Sequence, residues 1–290
     1  MTAGIIFAFL ALISWGFGDF FLQRAIRSFG SLRTLLYVSV TGSVVLLPFI
    51  PDAFFRTTGN PFHLALLLLT GIVIFFAALF DFEALKRGKL AIIEPILSSE
   101  LIITVMLSLL FWGEWLSGLQ LLLAGTTFLG IVLAITVHHT HLHYHKRMFE
   151  RGVIFAGVGA IVMGLVNFLV GVASQEISPL LTIWFTNVLL TAFCLLFLAV
   201  RGEFRDIVSS IARNPRAFIA VSLLDNAAWL FFAFSTSLIP IALATTISEA
   251  YIALTVLLGL FINKERLKYH QYVGIAVAIG SVIFLAAVTG

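Results

Sequence analysis

Apolar runs long enough to cross a bilayer recur along the whole of this 290-residue chain, and that recurrence constrains its fold more than any motif does. They lie near residues 4–23, 33–51, 62–85, 91–112, 117–137, 152–173, 179–200, 216–238, 241–262 and 269–289. In hydrocarbon only helices and closed barrels satisfy their own backbone polar groups, and runs of this length match helices. The expectation is an all-α polytopic protein of the lipid bilayer, with ten transmembrane helices. Charged residues make up 11% of the chain, against about a quarter in a soluble domain. Pro48, Pro51, Pro61, Pro179, Pro215 and Pro240 fall near predicted span ends, and Pro95 sits just inside the fourth span, where a first-turn proline is tolerated. The N-terminal run has no basic leader and no small-residue cleavage site, so it reads as a retained first span. The single cysteine, Cys194, excludes an intramolecular disulfide.

Lys and Arg are distributed one-sidedly. Of the 17, all but Arg56 fall in the connections 1–2, 3–4, 5–6, 7–8 and 9–10. The positive-inside rule makes that side cytoplasmic, which places both termini outside a cytoplasmic membrane. The net charge of +3 is therefore a matter of topology and gives no reason to expect nucleic acid.

The chain also repeats itself. LSSELIITVMLSLLFWGEWLSGLQ (97–120) aligns with SEAYIALTVLLGLFINKERLKYHQ (248–271), matching Thr104 with Thr255, Glu114 with Glu265 and Gln120 with Gln271. The first spans match Gly4 with Gly152, Gly16 with Gly164 and Phe20 with Phe168. Five spans is an odd number, so the second copy is inverted in the membrane. The charges agree, since basic connections in one copy correspond to bare ones in the other. The organisation expected is a first five-helix repeat over 1–137, a cytoplasmic His-rich linker over 138–151 and a second five-helix repeat over 152–290. Inverted repeats of this kind mark secondary transporters, whose site lies between the repeats near the midplane.

The stretch EALKRGKLAIIEPILSSE, its continuation FWGEWLSGLQLLLAGTTFLGIVLA and the echo ISEAYIALTVLLGLFINKERLKYHQYVGIAVAIGSVIFLA resemble the EamA family of the drug/metabolite transporter superfamily. The opening SWGFGDFFLQRAIRSFGSLRT is similar to a first span of that group. The resemblance implies that spans 1–4 and 6–9 surround a central cavity, with spans 5 and 10 peripheral. The charge count reverses the orientation commonly described for the superfamily, which has both termini cytoplasmic.

No Lys or Arg lies deep in a span, but Asp19, Glu94, Glu100, Asp225 and Glu249 do, with Asp81 nearer an end. A charge at mid-bilayer costs on the order of 3 kcal/mol on insertion scales, so such groups face a cavity or a partner. Glu94 is only a turn inside and reads as reaching headgroup water. Helical spacing groups Trp15 with Asp19, Asp225 with Trp229 beside Asn226, Thr245 with Glu249, and Trp184 with Asn187. Asn167 is the repeat mate of Asp19, Tyr251 that of Glu100, and Ser98 that of Glu249. Rings beside carboxylates suit a cationic or aromatic ligand. The expected substrate cavity is Trp15, Asp19, Ser98, Asn167, Trp184, Asn187, Asp225, Asn226, Trp229 and Tyr251, with Glu100 and Glu249 as proton-coupling candidates. Each acid has a structural alternative, a hydrogen bond between helices worth only about 0.6 kcal/mol. Trp15 has another as an interfacial anchor, and Trp112 and Trp115 read as anchors outright. Glu114 and Glu265 read as caps or loop contacts. Ala156, Ala160 and Gly164, and Gly274 and Ala278, have the small-residue spacing of close helix crossings.

The function expected is secondary transport of a small amphipathic metabolite or drug-like solute by alternating access, outward, with protons as candidate coupling ion. The alternatives are an uncoupled exchanger or uptake permease, or an intramembrane enzyme. Against an enzyme, the chain has no G-x-S-x-G elbow, no H-E-x-x-H pair and no P-loop. No cofactor and no metal site are expected. The five histidines of VHHTHLHYHKR (137–147) leave metal binding as an alternative, but they lack structural-site spacing and read as a solvated cytoplasmic loop. The assembly expected is a monomer or homodimer.

Overall fold

The computed structural model describes the backbone of residues 1–50, 54, 57, 59–87, 90–136, 146–202, 215–262 and 267–290. Side chains are described for these apart from residues 19, 20, 23, 24, 26–29, 82, 85–87, 90–92, 94, 146–150 and 215–217. Asp19 and Glu94 as side chains, the histidines at 138–145 and Glu265 thus lie outside what is described.

Among the described residues all regular structure is helical. The helices are α1 (Thr2–Phe29), α2 (Ser31–Leu46), α3 (Pro61–Arg87), α4 (Leu90–Leu97), α5 (Glu100–Phe111), α6 (Gly118–Ile135), α7 (Lys146–Glu176), α8 (Pro179–Arg201), α9 (Pro215–Leu238), α10 (Ile241–Glu249), α11 (Tyr251–Ile262) and α12 (Tyr269–Thr289). Among the described residues eight stretches are long and apolar enough to cross a membrane, with shorter apolar helices at Thr2–Gly18 and Pro95–Phe111. Leu110, Phe111, Val200 and Phe261 are each more than 70% exposed. Apolar surface of that kind is normal against lipid and anomalous against water.

The fourth and ninth apolar runs, expected as single helices, are each interrupted. α4 gives way to α5 at Ser98–Ser99, and α10 to α11 at Ala250. Ser99 and Ala250 are repeat mates, so the two turns are one feature built twice. Proline is not the common cause, because Pro95 lies inside α4 while its mate is Thr246. What the two share is hydroxyl bonding back to the turn before it: Ser98 Oγ to Pro95 O (3.0 Å), Ser99 Oγ to Ile96 O (2.6 Å) and Ser248 Oγ to Thr245 O (3.2 Å). Such bonds occupy carbonyls that a broken helix leaves open.

The repeat visible in the sequence is also a repeat of contacts. α1 packs on α9 as α7 packs on α3, α1 on α11 as α7 on α5, and α2 on α9 as α8 on α3. α2 meets α8, and α6 meets α12. The matched polar residues take matched roles. Thr104 Oγ1 donates to Gly164 O (3.0 Å), and Thr255 Oγ1 donates to Gly16 O (3.2 Å). A Cβ on Gly164 would fall 2.7 Å from Ile103 Cβ, and one on Gly16 would fall 2.9 Å from Leu254 Cγ. Each first helix thus needs glycine where the other repeat's broken helix crosses it. Gln120 folds back to accept from Ser117 N (2.9 Å), and Gln271 from Lys268 N (2.9 Å).

One pairing breaks the symmetry. α5 packs on α10, but the mirrored pair, α4 with α11, makes no comparable interface among the described residues. The α5–α10 side is also latched. After α5, Gly113 turns the chain with φ +67°, and Glu114 reaches the start of α10. There its Oε1 accepts from Ile241 N (2.5 Å) and its Oε2 from Ala242 N (3.0 Å). Those are orphan donors of a helix N-terminus, which also favours negative charge. Burial pushes the Glu114 carboxyl up from its ordinary value, and the Ala242 and Ile241 N–H groups pull it part of the way back. Beside it, Trp112 Nε1 donates to Gln175 Oε1 (2.6 Å), and Gln175 Nε2 donates to Thr236 O (2.7 Å). The expectation of Glu114 as a cap is met, across helices. Trp112 is tied into this network, while Trp115 is 92% exposed.

Two predictions follow from this packing. A Cβ at Gly130 on α6 would lie 2.5 Å from Ala278 N and 2.9 Å from Gly274 O of α12. Gly130→Leu is expected to lower the unfolding temperature in detergent by several degrees, the overpacking cost being about 1–3 kcal/mol. Gly125→Leu on the same helix meets nothing within 4 Å and should leave it unchanged. Glu114→Ala should cost about 1–2 kcal/mol by baring the α10 N-terminus. Glu114→Gln, which keeps one acceptor oxygen, should cost less in the same unfolding measurement.

Candidate functional site

The two interruptions meet at a cavity of ≈ 250 Å³ between the halves of the chain. Its wall draws on α1–α5 and α7–α11, and no residue of α6 or α12 contributes. Leu97, Ser98 and Glu100 enter from the first interruption, and Glu249, Tyr251 and Ile252 from the second. The turns therefore lie where backbone freed from its helix faces the cavity and not lipid, the condition under which a membrane tolerates it.

Of the residues expected there, Trp15, Ser98, Glu100, Asn167, Asn187, Asp225, Trp229, Glu249 and Tyr251 line the cavity. Trp15 is 7% exposed and is not an interfacial anchor. Its ring meets Trp229 edge-on at 5.2 Å, Phe232 at 5.6 Å and Tyr251 at 5.7 Å. Two expected residues stand behind the wall. Trp184 Nε1 donates to Ser43 O (3.0 Å), and its ring packs edge-on against Phe54. Asn226 accepts from Asn187 Nδ2 (2.9 Å) and donates through Nδ2 to Val38 O (2.9 Å), pinning α9 to α8 and α2. Gly42 makes room for that junction, since a Cβ there would collide with both asparagines.

Glu249 is 3% exposed and Asn167 2%. Asn167 Nδ2 donates to Glu249 Oε1 (3.3 Å), and the Glu249 carboxyl also engages the side chain of Glu100. Glu249 Oε2 is buried with no hydrogen-bond partner. The acids that were not repeat mates in sequence thus meet across the two interruptions. Two carboxylates in contact repel, and one proton between them turns repulsion into a hydrogen bond. Asp81, nearer a span end in the sequence, also lines the cavity, against Gly159, whose missing side chain leaves space for it. Ser39 and Thr186 line it too. Among polar residues common in spans, neither had a spacing that marked it out. Among the described residues no three His, Cys, Asp or Glu side chains converge as a metal ion requires.

A crystal structure superposes with a TM-score of 0.71, covering 100% of this chain and 96% of that one, at 16% sequence identity. At that identity the likeness is one of fold. No functionally curated protein sequence matches the chain. The profile of the EamA-like transporter family matches twice, over residues 2–136 and 150–287, one match to each copy of the internal repeat. This multi-pass membrane protein, with its cavity between two copies of one helical unit, belongs to the EamA-like transporter family.

Proposed function

We propose that the chain is a secondary transporter that carries a small solute by alternating access across ten membrane crossings, arranged as two inverted repeats over 1–137 and 152–290. Export is the proposed direction, on family resemblance alone. The observation that carries the reading is the meeting of two symmetry-related helix interruptions at one buried cavity. The asymmetry of the fold supports alternation: α5 and α10 are packed and latched on one side, while α4 and α11 make no comparable interface among the described residues on the other. By the positive-inside count the unlatched side is cytoplasmic.

Glu100 and Glu249 are proposed as the proton-coupling pair, with Asn167 holding Glu249 in place. The competing role is a static bond that only fastens α5, α7 and α10 together. In proteoliposomes, Glu100→Gln or Glu249→Gln should abolish accumulation driven by a pH gradient while solute exchange without a gradient persists at saturating solute. Gln keeps shape and hydrogen bonding but cannot release a proton. Unchanged gradient-driven transport in both variants would remove the pair from the coupling step.

Both ends of the chain are proposed to face away from the cytoplasm. The native Cys194 is buried, so a single cysteine introduced near Thr289 reports without interference. It should react with an impermeant thiol reagent in intact cells. Reaction only after permeabilisation would reverse the orientation.

A further inference from the structure

Resting on the transporter reading, we infer that the cavity selects a small organic monocation and holds its ammonium centre between the Glu249 carboxyl and the ring cluster around Trp15. Among the described residues four carboxyl side chains reach the cavity, from Asp81, Glu100, Asp225 and Glu249. No Lys, Arg or His is among the described lining residues. Among these residues an anion would find no opposite charge and would face four groups able to repel it.

Acidity alone does not make a site, but two further observations point to a ligand. One is Glu249 Oε2, a buried polar atom lacking a hydrogen bond, on a residue that lines the cavity and is itself 97% buried. Leaving such an atom unpaired is costly, and a cationic N–H donor or a close ammonium would recover that cost. Glu249 is moreover the last residue of α10, where the helix dipole is negative and the following turn has freed carbonyls. A cation is the charge that suits a half-helix C-terminus. The other observation is the rings. Trp15, Trp229 and Tyr251 line the same cavity, the latter two converging on Trp15 from α9 and α11. Tryptophan faces attract ammonium groups, most strongly when water is excluded. Asp225 stands one turn before Trp229 on α9, adding a second carboxyl beside the rings.

Size narrows the class. At roughly 30 Å³ per water, the cavity holds the volume of about eight waters, below the ~300–1,000 Å³ of drug-sized sites. A monocation bearing one ring, or a compact alkylated ammonium, fits that volume.

Three probes of one shape and different charge test the inference: radiolabelled 2-phenylethylammonium, 2-phenylethanol and phenylacetate, each titrated against the purified full chain in detergent. The ammonium should bind saturably and about tenfold or more tighter than either other probe. Glu249→Gln and Asp225→Asn should each weaken ammonium binding by a similar factor with the unfolding temperature unchanged. Trp229→Leu should weaken binding of the ammonium without gaining affinity for phenylacetate. Absence of saturable ammonium binding, equal or tighter binding of the alcohol or the acid, or unaltered ammonium affinity in both carboxyl variants would overturn it. Should a variant unfold, the comparison of the three probes on the unmodified protein decides alone. Saturable binding or counterflow of the alcohol or acid in place of the ammonium would overturn the charge preference and leave the transporter reading standing.

Discussion

A backbone N–H or C=O that leaves its helix inside hydrocarbon has no water to turn to, and much of this architecture follows from where that happens. The chain opens its helices at Ser98–Ser99 and at Ala250, both deep in apolar runs. Each opening is sheltered by the first helix of the other repeat, fixed by one threonine-to-carbonyl bond and one glycine. Hydroxyls bond back onto the loosened turns. The cavity is the space that these two sheltered turns leave between them. Its acids sit on either side of the turns, Glu100 just after one and Glu249 just before the other.

Much of this was legible in the sequence because a bilayer allows few solutions. Long apolar runs admit only helices, and the polar identities between the halves, Thr104 with Thr255 and Gln120 with Gln271, were too specific to arise from greasy composition. The structure gives each pair a matched hydrogen bond. The acids were legible as well, since an intramembrane carboxyl needs a cavity or a partner, and Glu100, Asp225 and Glu249 have one. Small-residue spacing in the last span marked Gly274 and Ala278, which lie where α12 crosses α6.

What stayed hidden depends on tertiary contact. Ser248, whose hydroxyl bonds back at the Ala250 turn, is one hydroxyl among many in the spans and does not mark a break point in the sequence. Helical spacing placed Trp184 and Asn226 with their neighbours but could not say which way each side chain turns. Both face away from the cavity and bind other helices. The destination of Glu114 was equally out of reach, since its partners lie 127 and 128 residues further along the chain. Asp81 looked peripheral by its depth in a span, and Gly159 on a neighbouring helix is what admits it to the cavity.

The mirrored crossings carry a consequence for the energetics of a carrier of this kind. Two halves that make the same contacts can exchange conformations, each taking up the shape of the other, and the exchanged molecule is the same fold facing the opposite way. In the proposed alternation the closed pair α5–α10 would give way as α4–α11 forms. To first order the two states are degenerate, and only positions where the halves differ in sequence set the balance between them. Glu100 against Tyr251 and Ser98 against Glu249 are such positions, and they lie at the turns themselves. The residues proposed to meet the solute would thus also be the residues that tilt an otherwise level equilibrium.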